Sequence, residues 1–499
     1  MTTEAQALLR RYDALAEEKK QAIRNRPDRV RIAGNTYYVA SSGDDANDGR
    51  TPEKAWRTLE KVSSAQLCPG DGVLFCRGDV FRGSVTAKPG VTYAAYGTGE
   101  KPRFYGWCEN LADPALWECT DPACGIWRYV RPILDVGVLV FDEGEKHTRK
   151  LIPSYIGGRF VCREDESIPF DMAQQMTQEL DLYWEFGGSY TTVPTRGQDF
   201  PIPDVFGAYG RLYLRCTAGN PGAVFGSIEA APRACMFAVG SCENVHIDNL
   251  CIKYVGIHAV SAGGECVRGL RVTGCEIGWI GGSIQHFYGT DPNYPQGGRG
   301  TVTRFGNGVE IYGGCRDYTV AECYIYQAYD AGITHQFSTR GTPCRMENVC
   351  YRDNLVEDCV YSIEYFLEIA DGGTQHGMDG IEMTGNFLRR SGYGWGQQRH
   401  NKDTPAHIKG WSYANPAANY RICGNIFDRA AYRMLHLVCK KPESLPQLQG
   451  NTYIQYADGL LGQYGANEHA EPPVLPFDEA AAQRIAQTFG DADAQVHRL

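Results

Sequence analysis

The sequence predicts an all-β fold, a right-handed parallel β-helix with an inserted β-rich subdomain and an N-terminal capping helix. The main observation is an eight-residue phrase that recurs six times: apolar–x–apolar–x–(Gly, Asp, Asn or Glu)–(Asn, Cys or Leu)–x–apolar. Its copies span 245–252, 270–277, 318–325, 349–356, 381–388 and 420–427, and each reads as strand, bend, strand. The sixth position holds Leu250, Cys275, Cys323, Asn354, Asn386 and Asn425. An inward Asn at a bend can bond the backbone of neighbouring turns, and Cys fills the same slot as a small hydrophobe. The 58 glycines suit a chain with many tight corners.

The elements follow in order. Residues 1–30 carry Leu8, Leu9, Tyr12, Leu15 and Ile23 at helical spacing among charges, which predicts a helix covering the open end of the solenoid. Residues 31–110 read as the first coils, with strands at 71–75 and 91–96. Residues 111–232 break the repeat, are rich in Trp, Tyr and Pro, and contain hairpin-like strands at 136–141 and 211–215. They predict a β-rich subdomain beside the cleft, closing the cleft of this chain or of a neighbour. Regular coils fill 233–465 and should carry the active site. Residues 466–499 read as a Pro-rich linker and a short helix near 479–489.

Composition narrows the function. The net charge of −10 argues against nucleic acid or an anionic membrane as partner, and no apolar run reaches membrane-spanning length. Cysteine use, 19 thiols with several in the inward slot, suits a reducing compartment and predicts a cytoplasmic protein. The charged first residues do not read as a signal peptide. No Cys or His grouping has zinc spacing, so no metal site is expected. The acidic loop 44–49 lacks the distal Glu of a calcium loop. The segment 372–377 lacks the strand and helix of a phosphate loop, which places His376 and Asp379 in a surface connection.

The third strand of each coil can be aligned at 308–312, 332–336, 362–366 and 406–410. Ile333, Ile363 and Ile408 then point inward, and alternation sends Glu310, Thr334, Glu364 and Lys409 outward in one column. Asp330 lies in the turn before Thr334. Glu310, Asp330 and Glu364 are the expected catalytic residues, because repulsion within such a group keeps one carboxyl protonated, as glycoside hydrolysis requires. His335, Tyr365, Trp395, Arg399, His407 and Lys409 are the expected substrate-binding residues, through ring stacking and hydroxyl contacts. Arg399, His400 and His407 are expected in an exposed insertion. The competing reading is a set of solvated strand carboxylates, with Trp395 in the core.

The segment 36–49, followed by 51–59, resembles the opening of pectate-lyase-like (pectin-lyase-like) β-helix proteins, where a strand, an Asp/Gly-rich loop and a short helix precede the first turn. The phrases around Asp330 and Glu364 resemble β-helix glycoside hydrolases of the β-xylosidase and α-L-fucosidase type. That resemblance implies a glycosidase in which an Asp and a Glu about one coil apart do the work. Glu364 would be the acid/base and Asp330 the nucleophile or water-activating base, in a retaining exo-glycosidase acting on a small oligosaccharide or glycoside. The alternative pair, Glu310 and Glu364, two coils apart, would suit inversion. No cofactor is expected. A lyase with Lys409 or Arg399 as base, with calcium, is the rival enzyme, and a non-catalytic carbohydrate-binding β-helix is the rival outside enzymology. A homo-oligomer stays open.

Overall fold

The computed structural model describes residues 3–192, 201–287, 302–339, 343–369, 377–399 and 404–499. The chain winds as a right-handed parallel β-helix whose strands stack coil on coil. One flank is a ten-stranded parallel sheet, and the other faces merge into a 19-stranded sheet because strands such as Val309–Ala321 run on around a corner.

The repeat phrase explains the corner. Its fifth position is left-handed in every copy, with φ of 52° to 64° at Asn249, Gly274, Glu322, Asp353, Gly385 and Gly424. Gly, and at some cost Asn or Asp, adopts this backbone readily, which accounts for five of the six residues found there; Glu322 is the exception. The sixth position turns into the core. Asn354 Nδ2 donates to Asn386 Oδ1 at 2.9 Å, Asn386 Nδ2 donates to Asn425 Oδ1 at 2.9 Å, and Asn425 Nδ2 donates to Asn451 Oδ1 at 3.1 Å. Cys323 and Cys275 continue the column as buried thiols, with the Cys323 amide donating to Asn354 Oδ1 at 3.0 Å. Asn451 belongs to a seventh copy, 446–453, hidden in the sequence because Pro446 occupies its first apolar position. Asp491 closes the ladder, accepting from Asn451 Nδ2 at 2.7 Å.

The N-terminal helix Thr3–Arg24 forms, but it does not cover an open end. It lies along the ten-stranded sheet, where Tyr12, Ala16 and Ile23 pack on Tyr324, Leu355 and Phe387. Ion pairs fix it there, Lys20 to Glu357 at 2.6 Å and Arg24 to Glu276 at 3.0 Å. The ends are closed by shorter pieces. Leu59 and Val62 of the helix Leu59–Ser64 enter the core at the first coils, and Ala481 and Ile485 of Ala481–Gln487 enter it at the last. Sequence patterning favoured the long helix for this role because its apolar stripe is stronger; the stripe instead matches outward-facing side chains of the flank.

The insertion is spliced cleanly into the stack. Val85 pairs with Phe237 and Arg103 with Cys251, so the coils before and after it are direct neighbours. It has its own core, which includes Trp117, Tyr129, Leu182, Trp184 and Leu212. It docks on its own chain: Val138 and Val140 pack against Tyr254, Trp279, Tyr329 and Trp395.

The Asn ladder makes a stability prediction. Asn386→Ala removes two donated bonds, to Tyr351 O and Asn425, leaves the Asn354 backbone N–H without its acceptor and leaves Asn354 Nδ2 only Val320 O. Orphaned buried polar groups should then cost roughly 3 kcal/mol in urea denaturation. A loss below about 1 kcal/mol would mean that the ladder does not hold the stack.

Candidate active site

The outward column exists and is longer than its sequence alignment. Strand pairing sets Ser261 beside Glu310, then Thr334, Glu364, Lys409, His436 and Gln463. The inward neighbours Val309, Ile333, Ile363 and Ile408 are fully buried in the core and fix the direction of the column. The column is largely shielded from water, with Glu310 at 8% and Glu364 at 4% exposure.

Glu310 is held ionised by two donors from neighbouring turns. His258 Nδ1 accepts the Asn307 backbone N–H at 2.9 Å, so its proton lies on Nε2, which sits 3.0 Å from Glu310 Oε2. Asn307 Oδ1 accepts the Ala331 N–H at 2.9 Å, which orients the amide so that Nδ2 donates to the same oxygen at 2.6 Å. Burial works to raise the Glu310 pKa; the His258 and Asn307 contacts outweigh it and hold the carboxylate below its ordinary value.

Asp330 sits in the turn at the edge of the column. Its Oδ1 accepts from Arg399 Nη1, and the Arg399 guanidinium also lies over the rings of Tyr329 and Tyr361, at 5.8 and 5.6 Å. Burial pushes Asp330 up, Arg399 pulls it down, and Glu310 adds to the rise, leaving it above its ordinary value. Glu364 is shifted furthest: burial and then the Asp330 carboxylate drive its pKa well above the usual range, against Arg399 and Lys409. The three acids are thus shifted differently, with Glu310 pulled down, Asp330 raised despite its ion pair with Arg399, and Glu364 raised furthest.

Several expected binding residues lie elsewhere. His335 and Tyr365 point into the solenoid, stacked on each other at 5.6 Å, with His335 Nδ1 2.9 Å from Tyr351 Oη. They follow outward Thr334 and Glu364 by one residue, so alternation itself turns them inward. His407 is also interior, against Phe427 at 5.9 Å. Burial drives the pKa of both histidines down to about 3, so both are neutral core rings. Trp395 is buried beneath the insertion, its N–H and Nε1 donating to Gln327 at 2.9 and 2.7 Å, and presents no face to a ligand. Arg399 is not in an exposed loop but locked on Asp330. Lys409 is in the column, with Nζ 4.4 Å over the Trp411 ring. His376 and His400 lie outside the described residues; Asp379 is described, in the strand Gly377–Thr384, and accepts from Asn419 Nδ2 at 2.8 Å.

Sequence alignment missed His258 and Asn307. They occupy the same place in successive coils, two residues before the paired Val260 and Val309. Aligning the turns as well as the strands exposes that correspondence. At the far end of the column, His436 Nε2 contacts Glu471 at 3.1 Å and Gln463 Nε2 donates to Glu471 at 3.2 Å, so the tail closes over it. Among the described residues, no group of three His, Cys, Asp or Glu is placed to hold a metal ion. All 19 cysteines are free thiols, and no described helix is long and apolar enough to cross a membrane.

No protein-family model matches the chain. A segment of 80 residues is 36% identical to a lacto-N-biosidase of Bifidobacterium longum subsp. longum, covering 14% of this chain and 5% of that protein's length. The GH136 lacto-N-biosidase structure from Eubacterium ramulus aligns over 98% of this chain and 70% of its own, at 15% identity and a TM-score of 0.40. The family 28 exopolygalacturonase of Yersinia enterocolitica aligns over 95% of this chain and 72% of its own, at 12% identity and a TM-score of 0.37. The solenoid, read from its own strand pairing, stands without them.

The raised pKa of Glu364 has a stability signature. Its folded pKa lies above the unfolded value of about 4.3, so its favourable contribution is complete below that pH and is lost as pH rises toward the folded pKa. Glu364→Gln cannot ionise. The variant should match the wild type in thermal stability at about pH 4 and exceed it at about pH 8. A variant no more stable than the wild type at the higher pH would mean that Glu364 is not a buried, neutral acid.

Proposed function

We propose that this protein is a glycoside hydrolase that uses Glu364 as general acid and Glu310 as the base activating a water. The observation that carries this reading is the contrast in surroundings of two carboxyls in one column, which shifts them in opposite directions. The His258 and Asn307 contacts hold Glu310 below its ordinary pKa, and burial and Asp330 push Glu364 well above its own. Cleaving a glycosidic bond needs such a division: a proton delivered to the leaving oxygen on one side, and an anion to draw a proton from water on the other.

The spacing favours inversion. Glu310 and Glu364 stand two strands apart, about 9.6 Å at the backbone, close to the roughly 6.5–9.5 Å that leaves room for a water. Thr334 lies between them, and its buried Oγ1 has no partner among the described residues, which suits a hydroxyl that helps hold that water. Asp330, which the family resemblance makes the nucleophile, has one oxygen engaged by Arg399, which weakens it as a nucleophile. Its role in this reading is to raise Glu364. The reaction needs no cofactor. The short segment similar to a lacto-N-biosidase fits a saccharide substrate, and free thiols throughout fit a reducing, cytoplasmic setting.

A lyase is the second reading, because Lys409 adjoins Glu364 in the column and could serve as base. Incubation with nitrophenyl glycosides, and separately with uronate oligomers while watching for an unsaturated product, separates the two.

Glu364→Gln and Glu310→Gln should each fold and each lower turnover by about 10²–10⁴-fold. Near-wild-type turnover in either removes that residue from the mechanism. Activity should follow a bell in pH, rising as Glu310 loses its proton and falling as Glu364 loses its own. Proton NMR of the first-formed sugar should show the inverted anomer; a retained anomer would hand the role of Glu310 to Asp330.

A further inference from the structure

We propose that the outward strip Tyr312, Gln336, Phe366 and Trp411 is a binding platform for a neutral sugar chain laid along the solenoid axis, so that the substrate is an oligosaccharide and not a lone glycoside. The proposal rests on the glycosidase reading for its chemistry, while its geometry is independent of that reading. Strand pairing sets Tyr312 beside Gln336 and Gln336 beside Phe366. These positions are two residues beyond Glu310, Thr334 and Glu364 on the same strands, so they share the outward face. Trp411 follows Gly410, the partner of Tyr365, and its N–H donates to Tyr365 O at 3.1 Å, which places it next to Phe366 in the same row.

Two features mark the row as a ligand surface. Tyr312 is 43% and Trp411 37% exposed, although both stand on the outward face of the coils beside a largely buried column. Their orientation is nevertheless fixed. Tyr312 meets Phe337 edge to face at 5.3 Å and Phe366 at 6.5 Å, and Trp411 is held between the Lys409 ammonium at 4.4 Å and the edge of Tyr361 at 5.7 Å. The second feature is polar. Gln336, between the two rings, is only 8% exposed, and its Oε1 has no partner among the described residues. A buried amide oxygen without a donor is costly unless a ligand supplies one. Sugar hydroxyls are such donors, and the apolar faces of sugar rings stack on aromatic rings.

The row has a length. From Tyr312 to Trp411 it crosses three strand spacings, about 14 Å, parallel to the carboxylate column. One sugar ring cannot touch both ends. A chain lying along the row would bring a linkage beside Glu364 while its neighbours rest on Phe366 and Tyr312. A protein partner is less well matched: the row is one residue wide and interrupted by an amide that needs a hydroxyl-sized donor.

The test uses the full chain carrying Glu364→Gln, so that ligands survive. Neutral oligosaccharides of one to six units, built from β-linked xylose, glucose, galactose or N-acetylglucosamine, are titrated by calorimetry and by tryptophan fluorescence. At least one series should gain affinity with length up to about three units, one for each aromatic in the row. Tyr312→Ala, Phe366→Ala and Trp411→Ala should each weaken the trimer by about five- to tenfold, the size of one aromatic contact. Gln336→Leu should weaken it as well and leave the fluorescence response intact. Affinity independent of length, affinity unchanged in the aromatic variants, or no binding across the panel would each overturn the proposal. The catalytic reading is judged separately: length-dependent binding to a wild-type chain that cleaves none of the series would sink hydrolysis and leave the platform standing.

Discussion

The rest of the structure depends on registration of one coil upon the next. A β-strand has a period of two, so a slip of one residue between coils would turn the whole core outward and the carboxylate column inward. Hydrophobic packing forbids that slip but tolerates slips of two residues better, because these keep the faces and Val309, Ile333 and Ile363 could be served by many arrangements of similar volume. The Asn ladder does not tolerate them. Each amide donates to the next amide oxygen and to a carbonyl of the coil below, and each also accepts a backbone N–H from a neighbouring coil. A shifted coil would orphan several of these groups in a dry interior, at a cost of roughly 1–3 kcal/mol for each. The ladder therefore selects one register, and that register places Glu310, Thr334 and Glu364 side by side.

Within that frame the site's electrostatics follow from crowding. Three carboxyls cannot all be charged where water is excluded, and the structure resolves the conflict by giving each a different neighbour. Glu310 has donors that approach from two turns, Asp330 has a guanidinium, and Glu364 has Lys409 alongside but two acids opposing it. The proton stays where stabilisation of the anion is weakest. His258 contributes through its orientation, which the Asn307 backbone N–H fixes from the opposite side of the ring.

What the sequence made legible follows the same period. The repeat phrase disclosed the solenoid, the inward slot of Cys323, Asn354 and Asn386, and the outward column through Lys409, because each is a local pattern repeated in register. The failures have two physical origins. His335 and Tyr365 were grouped with the site by nearness in the chain, although one residue along a strand reverses the face; carrying the alternation one step further leads to Gln336 and Phe366 instead. Trp395, Arg399 and the N-terminal helix were misplaced because tertiary docking sets their positions, and no local pattern encodes it. Asn451 was lost because a single Pro disguised the last copy of the phrase.

Docking of the insertion is more than a covering of apolar surface. Its Thr148 carbonyl accepts from Gln398 Nε2 at 2.8 Å, and Gln398 Oε1 accepts the Lys150 N–H at 3.2 Å. Gln398 immediately precedes Arg399, whose other anchors are the Tyr329 and Tyr361 rings and Asp330. Lys150 is itself tied to Asp135, which accepts the Ile284 N–H at the base of the hairpin Ser283–Phe287 with Val302–Phe305. A buried chain of polar contacts thus runs from the insertion to the guanidinium that balances Asp330, and through Asp330 to the proton on Glu364. Buried polar groups of this kind tolerate little displacement, since each would be left unpaired. The insertion is in this sense part of the site: the coils set the spacing of the carboxyls, and the insertion braces the residue next to the guanidinium that pairs with Asp330.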